Sequence, residues 1–226
     1  MLFFDNTMLL LIPAIAITLY AQYKVKSVYT RYMKISAENG LNGKQVAERL
    51  LKIKRLENIK IEIIPGRLTD HYDSKNKKLG LSREVYYGSS IAAQGIVSHE
   101  IGHAIQDSLK YLPLVLRSNL VPVSNLGSRM AIPLFLIGFI FTLPALMEIG
   151  IIAFSLAVLF QIITLPVEFD ASKRAIKLLN IGNMLSNQET IYAKQVLDAA
   201  ALTYIAATAM AILQLLRLIV LRNRRG

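Results

Sequence analysis

Residues 130–165 carry one charged side chain, Glu148. A bilayer-spanning helix needs about 17–25 predominantly apolar residues, so this run is long enough for two spans and a turn. The expected spans are 130–147 and 149–165, turning at Met147-Glu148-Ile149-Gly150, with Pro133 and Pro144 inside the first. Membrane helices tolerate such prolines because neighbouring groups satisfy the freed backbone. The whole chain is 54% hydrophobic and 18% charged, against roughly 45–50% and 25% in average globular domains. That excludes disorder as the main state, which requires low hydrophobicity. It does not describe a bare membrane bundle either, because residues 22–129 hold eighteen Lys/Arg and nine Asp/Glu.

Two further apolar segments sit towards the ends. The first runs from about Leu2 to Ala21, with Asp5 and Asn6 near its outer end and Gln22, Lys24, Lys26 and Arg31 after it. A cleaved signal peptide would carry its positive charge before the apolar run, so a retained anchor is expected. The last runs from Ala199 to Leu216, followed by Arg217, Arg222, Arg224 and Arg225. Lys/Arg concentrate on the cytoplasmic side of membrane segments. Lys24, Lys26, Arg31 and Lys34 at one end of 22–129, and Arg117 and Arg129 at the other, therefore place that stretch in the cytoplasm and the hairpin turn outside. The C-terminal arginines conflict with this if the last segment spans fully; otherwise it lies across or along the cytoplasmic interface. The net charge of +11 is explained by these flanks, so a nucleic-acid partner is not expected.

The 22–129 stretch reads as a compact α+β unit. Asn42-Gly43-Lys44 precedes an amphipathic helical pattern to about Leu56. Ile59, Ile61 and Ile63 alternate with Lys60 and Glu62 as in a strand. After the Pro65-Gly66 turn, Leu68–Tyr72 and Lys77–Leu81 flank Asp73-Ser74-Lys75-Asn76 as a hairpin, and Ser89-Ser90 can cap a helix from Ile91 to about Leu109.

That last helix contains His99-Glu100-Ile101-Gly102-His103, an H-E-x-x-H pattern. Residues four apart share a helix face, so His99 and His103 can hold one zinc ion, and Glu100 stands beside them as a base for water. The chain has no cysteine, so any metal must use His, Asp or Glu. A catalytic zinc takes three protein ligands and keeps one position open. No histidine follows His103. Glu168 directly follows the apolar hairpin, which returns the chain to the cytoplasmic side, and is the expected third ligand. Its bland alternative is an interfacial carboxylate paired with Lys173 or Arg174. Asp170 is read either as a partner for the outer nitrogen of a zinc histidine or as a helix N-terminal charge. His71, in Asp70-His71-Tyr72-Asp73, is either an oxyanion donor or a turn histidine bonded by Asp70 or Asp73.

Nearly the whole chain resembles the YugP-type neutral zinc metallopeptidases of bacterial membranes. The resemblance rests on Leu68–Asp73, Leu81-Ser82, His99–Gln106, Val121–Ser128, Glu168–Ser172 and Ala199–Tyr204. It implies a zinc-dependent membrane peptidase acting on protein or peptide substrates. The layout is also similar to the HtpX and prenyl-protein protease group of membrane gluzincins. That group carries Glu-x-x-x-Asp at the third-ligand site, whereas here the fourth position after Glu168 is Ser172 and the acid stands at Asp170.

The expected fold is therefore a zincin-like α+β catalytic unit combined with a mostly α membrane bundle of about four hydrophobic segments. Its expected divisions are an anchor at 1–21, a catalytic domain at 22–129 and a transmembrane hairpin at 130–165. A third-ligand helix segment at 166–198 and a C-terminal hydrophobic helix with a basic tail at 199–226 complete it. The expected activity is peptide hydrolysis at a bacterial plasma membrane, with Zn2+ on His99, His103 and Glu168, and Glu100 and His71 in catalysis. Three rival readings fit the sequence less well. An intramembrane protease fits poorly, because 91–109 holds Gln94, Glu100, Gln106 and Asp107. A channel, transporter or scaffold would carry the pattern only incidentally, and its spans offer little beyond Glu148 and Gln161. A nucleic-acid-binding module is suggested only by the net charge.

Overall fold

The structure is a computed structural model that describes residues 6–224. Leu2 to Asp5, at the start of the first apolar segment, and Arg225 of the basic tail lie outside the described residues. The described chain is mostly helical with one small sheet. It divides into two compact units, one of residues 6–22, 115–166 and 203–224, the other of 23–114 and 167–202.

A 3₁₀ turn, Asn6–Leu11, leads into α1 (Ile12–Tyr32). Then come α2 (Gly43–Ile53), β1 (Lys60–Ile64), β2 (His71–Asp73), β3 (Lys78–Ser82), α3 (Arg83–Tyr87) and α4 (Ile91–Ser108). Three long helices complete the chain: α5 (Leu112–Ile140), α6 (Pro144–Ile181) and α7 (Asn187–Asn223). Among the described residues, four helical stretches are long and apolar enough to cross a membrane: Asn6–Tyr32, Leu112–Ile140, Pro144–Ile181 and Asn187–Asn223.

In the second unit, α2 starts at a reciprocal cap. Asn42 Oδ1 accepts from Gln45 N at 2.9 Å, and Gln45 Oε1 accepts from Asn42 N at 3.0 Å. Two of the helix's orphan donors are thereby satisfied. The sheet order is β1-β3-β2, with β1 parallel and β2 antiparallel to the central β3. The hairpin pairs Tyr72 with Leu79. Leu79 and Leu81 of β3 are fully buried, whereas Ile63 of β1 is exposed, so the alternation in β1 does not mark a clean inner face. Helix α4 starts where Ser90 Oγ accepts from Ala93 N at 3.1 Å. Ile91, Val97, Ile101 and Ala104 of α4 pack with Leu50, Leu79, Leu81, Leu178 and Leu179 in one core. Burial of α4 on nearly all sides explains its hydrophobic composition.

In the first unit, α5 and α6 meet as a helical hairpin whose turn is Phe141-Thr142-Leu143. This turn precedes the expected one at 147–150. Pro144 is the reason: it opens α6, where its missing N–H and fixed φ cost nothing, instead of lying inside the preceding helix. Small residues bring the helices together. A Cβ on Gly127 would lie 2.7 Å from the Ala153 carbonyl, and one on Gly150 would lie 2.8 Å from that of Ala131. Such contacts let helix backbones approach closely. Phe135, Met147 and Leu218 form a small buried cluster. The distal part of α7 reaches the end of this unit that holds the α5–α6 turn. Arg222 pairs there with Glu148, and Arg217 Nε donates to Thr7 Oγ1 at 3.2 Å. The C-terminal segment is thus a continuous helix running to that end of the unit.

Candidate metal centre

Helix geometry puts His99 and His103 on one face of α4, with ring centroids 4.8 Å apart and planes nearly perpendicular. Glu168, on α6, faces both. Its Oε2 lies 3.3 Å from His99 Nε2 and 3.6 Å from His103 Nε2. One ligand atom from each of the three residues lies within 4.8 Å of the others. The Glu168 side chain is 3% exposed, and the two imidazoles are 13% and 12% exposed. The cluster is therefore nearly enclosed, with the rings at its open side.

The meeting of α4 and α6 depends on Gly102. A Cβ there would stand 2.6 Å from the backbone oxygen of Ala171. Only glycine lets the two backbones close to this distance, three residues from Glu168. The second free position of H-E-x-x-H is thus not free here. A small residue at that position was the available signal in the sequence.

The outer nitrogens of the two rings have partners that sequence reasoning missed. His103 Nδ1 lies 3.0 Å from Gln106 Oε1. His99 Nδ1 lies 3.2 Å from Ser172 Oγ, four residues on from Glu168. Asp170 does not reach a histidine. Its Oδ2 accepts from Gln106 Nε2 at 2.9 Å and from Arg174 Nε at 2.5 Å. Nor is Asp170 a helix N-terminal charge, because α6 runs unbroken from Pro144 to Ile181. Gln106 is fully buried, and its Nε2 also donates to the Val167 carbonyl at 2.8 Å.

Glu100 is buried on the helix turn that bears the histidines. Its Oε2 accepts from the backbone N–H of Tyr72 at 3.0 Å. Tyr72 lies on β2, the antiparallel edge strand, so the carboxylate is anchored to the sheet through a main-chain group. Burial pushes the Glu100 pKa above the ordinary carboxylate value, against the opposing charges of His99 and His103. Burial disfavours the charged form of His103, but the neighbouring carboxylates of Glu168 and Glu100 outweigh this and raise its pKa.

His71 is also on β2 but outside the cluster. It is exposed, and its Nδ1 lies 2.9 Å from the Thr69 carbonyl. A carbonyl can only accept, so Nδ1 is the donor and a neutral ring presents Nε2 as an acceptor. Neither neighbouring aspartate bonds the ring. Asp70 accepts from Ser82 N and Oγ, and Asp73 accepts from Lys75 N and from Asn76.

The donor set fits a zinc ion. Two imidazoles and a carboxylate are an established zinc ligand chemistry. A nearly buried carboxylate facing two ring nitrogens also creates a demand for positive charge at their centre, since unpaired buried charge is costly.

Comparison with known proteins agrees with the geometry. The family described as "Putative neutral zinc metallopeptidase" matches residues 7–223. A protein of Bacillus subtilis (strain 168) named "Putative membrane protease YugP" is 44% identical over 212 residues, 94% of each chain. No solved structure matches the chain. On a family match that runs through both units and includes the His99–Glu168 cluster, the chain belongs to the family of putative neutral zinc metallopeptidases.

Proposed function

We propose that the protein is a membrane-embedded zinc metallopeptidase that hydrolyses peptide bonds of membrane-associated proteins or peptides. The observation that carries this reading is the convergence of the Glu168 carboxylate on His99 and His103, with Glu100 beside them. His99, His103 and Glu168 would hold the metal. Zinc bound there supplies Lewis-acid chemistry, polarising a peptide carbonyl and acidifying water.

The chain's own groups do the rest. Glu100 takes a proton from the attacking water and returns it to the leaving amine, a role worth about 10²–10⁴-fold. The Tyr72 N–H holds Oε2 of this carboxylate, which leaves Oε1 for the proton. His71, on the same edge strand, serves as an oxyanion donor only as the imidazolium, because its Nδ1–H is given to Thr69. The three-stranded sheet with its antiparallel edge strand beside α4 supports a zincin-like catalytic unit.

Four helices of spanning length and the printed name of the Bacillus relative support membrane embedding. The basic flanks of 22–129 support a cytoplasmic active site in a bacterial plasma membrane. The lipid bilayer and a polypeptide substrate are the partners, and nucleic acid is not one.

Elemental analysis of the purified full-length protein in detergent tests the reading. About one zinc per chain in wild type, lost in His99→Ala, is the expected result. Absence of zinc from wild type after zinc loading would return the chain to the class of non-enzymatic membrane proteins. Membrane proteomics comparing wild type with Glu100→Gln would then identify substrates.

A further inference from the structure

Gln106 is a fully buried amide whose three hydrogen bonds admit one orientation. Its nitrogen end meets two groups that can only accept, the Val167 carbonyl at 2.8 Å and the Asp170 carboxylate at 2.9 Å. Both N–H donors of the amide are thereby used. Its oxygen end is left facing His103 Nδ1 at 3.0 Å. An amide oxygen cannot donate, so the proton of this contact belongs to the imidazole. The Asp170 end is itself fixed, because Arg174 Nε donates to the same Oδ2 at 2.5 Å.

We infer that Gln106 is a positioning residue that locks His103 in the Nδ1–H tautomer, so that the Nε2 lone pair is directed at the metal position before any ion arrives. The inference rests on the zinc-site reading above and deepens it. Arg174 and Asp170 act through Gln106 and do not touch the histidine. The second histidine is held differently. His99 Nδ1 faces the Ser172 hydroxyl at 3.2 Å, which both donates and accepts, while its Nε2 lies 3.3 Å from the Glu168 carboxylate, which only accepts. The centre therefore has one imidazole whose metal-facing lone pair is preset from its outer side and one that is not.

The lock also spans two helices. Gln106 and His103 are on α4, whereas Val167 and Asp170 are on α6 and flank Glu168. One side chain thus fixes a ligand on its own helix and grips the other helix on both sides of the third ligand.

The test uses two substitutions in the full-length protein in detergent. Gln106→Leu approximates the volume but cannot accept the Nδ1 proton. Gln106→Glu accepts that proton but cannot donate to Val167 and Asp170. Because the chain has only three histidines, ¹⁵N-histidine NMR of the metal-free protein, at a pH where the rings are neutral, reads each tautomer. Zinc affinity is measured separately by chelator competition. Wild type should show His103 as Nδ1–H. Gln106→Leu should lose that preference and bind zinc about 10–100-fold more weakly, the usual cost of losing an outer partner of a metal histidine. Gln106→Glu should keep the Nδ1–H tautomer. If Gln106 only fills space, Gln106→Leu will keep both tautomer and affinity, and that result overturns the inference. If Gln106→Leu does not fold, loss of the Nδ1–H tautomer in Gln106→Glu overturns it equally. Failure of wild type to bind zinc would sink the metallopeptidase reading while the tautomer of His103 is still read in the metal-free protein.

Discussion

Gly102 and Ala171 bring the helix that carries the two histidines and the helix that carries Glu168 close together, with room for a hydrogen but not a methyl group. Gly102→Ala would place a Cβ 2.6 Å from a backbone oxygen that has no flexible end to move aside. Overpacking of this kind costs about 1–3 kcal/mol. We expect a lower thermal midpoint and weaker zinc binding together, because the shift separates Glu168 from the histidines. Calorimetry and zinc competition on the purified variant check this; a variant with wild-type values for both would mean that the helices adjust without disturbing the site.

Glu100→Gln should separate chemistry from metal binding. Glutamine can keep the hydrogen bond from Tyr72 N–H but cannot take a proton. Cleavage should fall by at least about two orders of magnitude, given the usual value of general-base catalysis. Zinc content and thermal stability should stay near wild type. Loss of zinc along with activity would instead assign Glu100 a structural part in the centre.

Glu168→Ala should reduce bound zinc as strongly as His99→Ala or His103→Ala. Chelation should lower the thermal midpoint of wild type, since a ligand bound only by the folded state stabilises it by mass action. The same chelator should leave the midpoint of Glu168→Ala almost unmoved. Full zinc occupancy in this variant would transfer the third ligand elsewhere.

Single cysteines report topology cleanly, because the chain has none of its own. The contact of Arg222 with Glu148 places the end of α7 beside the start of α6. Cysteines at Glu148 and Arg224 should therefore label from the same side of the membrane, the outer face in the orientation read from charge. Losing the ion pair should cost little, because both side chains are over 40% exposed and surface pairs contribute about 0–1 kcal/mol. Labelling from opposite faces would mean that α7 does not traverse the bilayer beside α6.

The elements that carry the site were legible from local chemistry. Ser90 caps the H-E-x-x-H helix where a capping serine was expected, and apolar runs marked the long helices. The encounter of Glu168 with the histidines was legible by a count of ligands, since no other acid followed the hairpin so directly. The α5–α6 turn was misplaced because a proline inside an apolar run has two readings, a tolerated kink or a first helical residue, and Pro144 takes the second. The pairing of β1 with β3 has no local signal, because parallel strands are joined through a crossover and their register is set by distant packing. Gln106 and Ser172 were missed because their roles depend on which group lies opposite them across two helices. Asp170 was singled out for its charge, yet it reaches the centre only through an uncharged amide.

The support that Tyr72 gives to Glu100 comes from a peptide N–H, which nineteen of the twenty amino acids supply equally. Variation at position 72 can therefore run freely as far as this contact is concerned, and a comparison of relatives would not register it. Proline alone would abolish it. A site can in this way conceal one of its hydrogen bonds from inheritance, with the backbone holding constant what the side chains are free to lose.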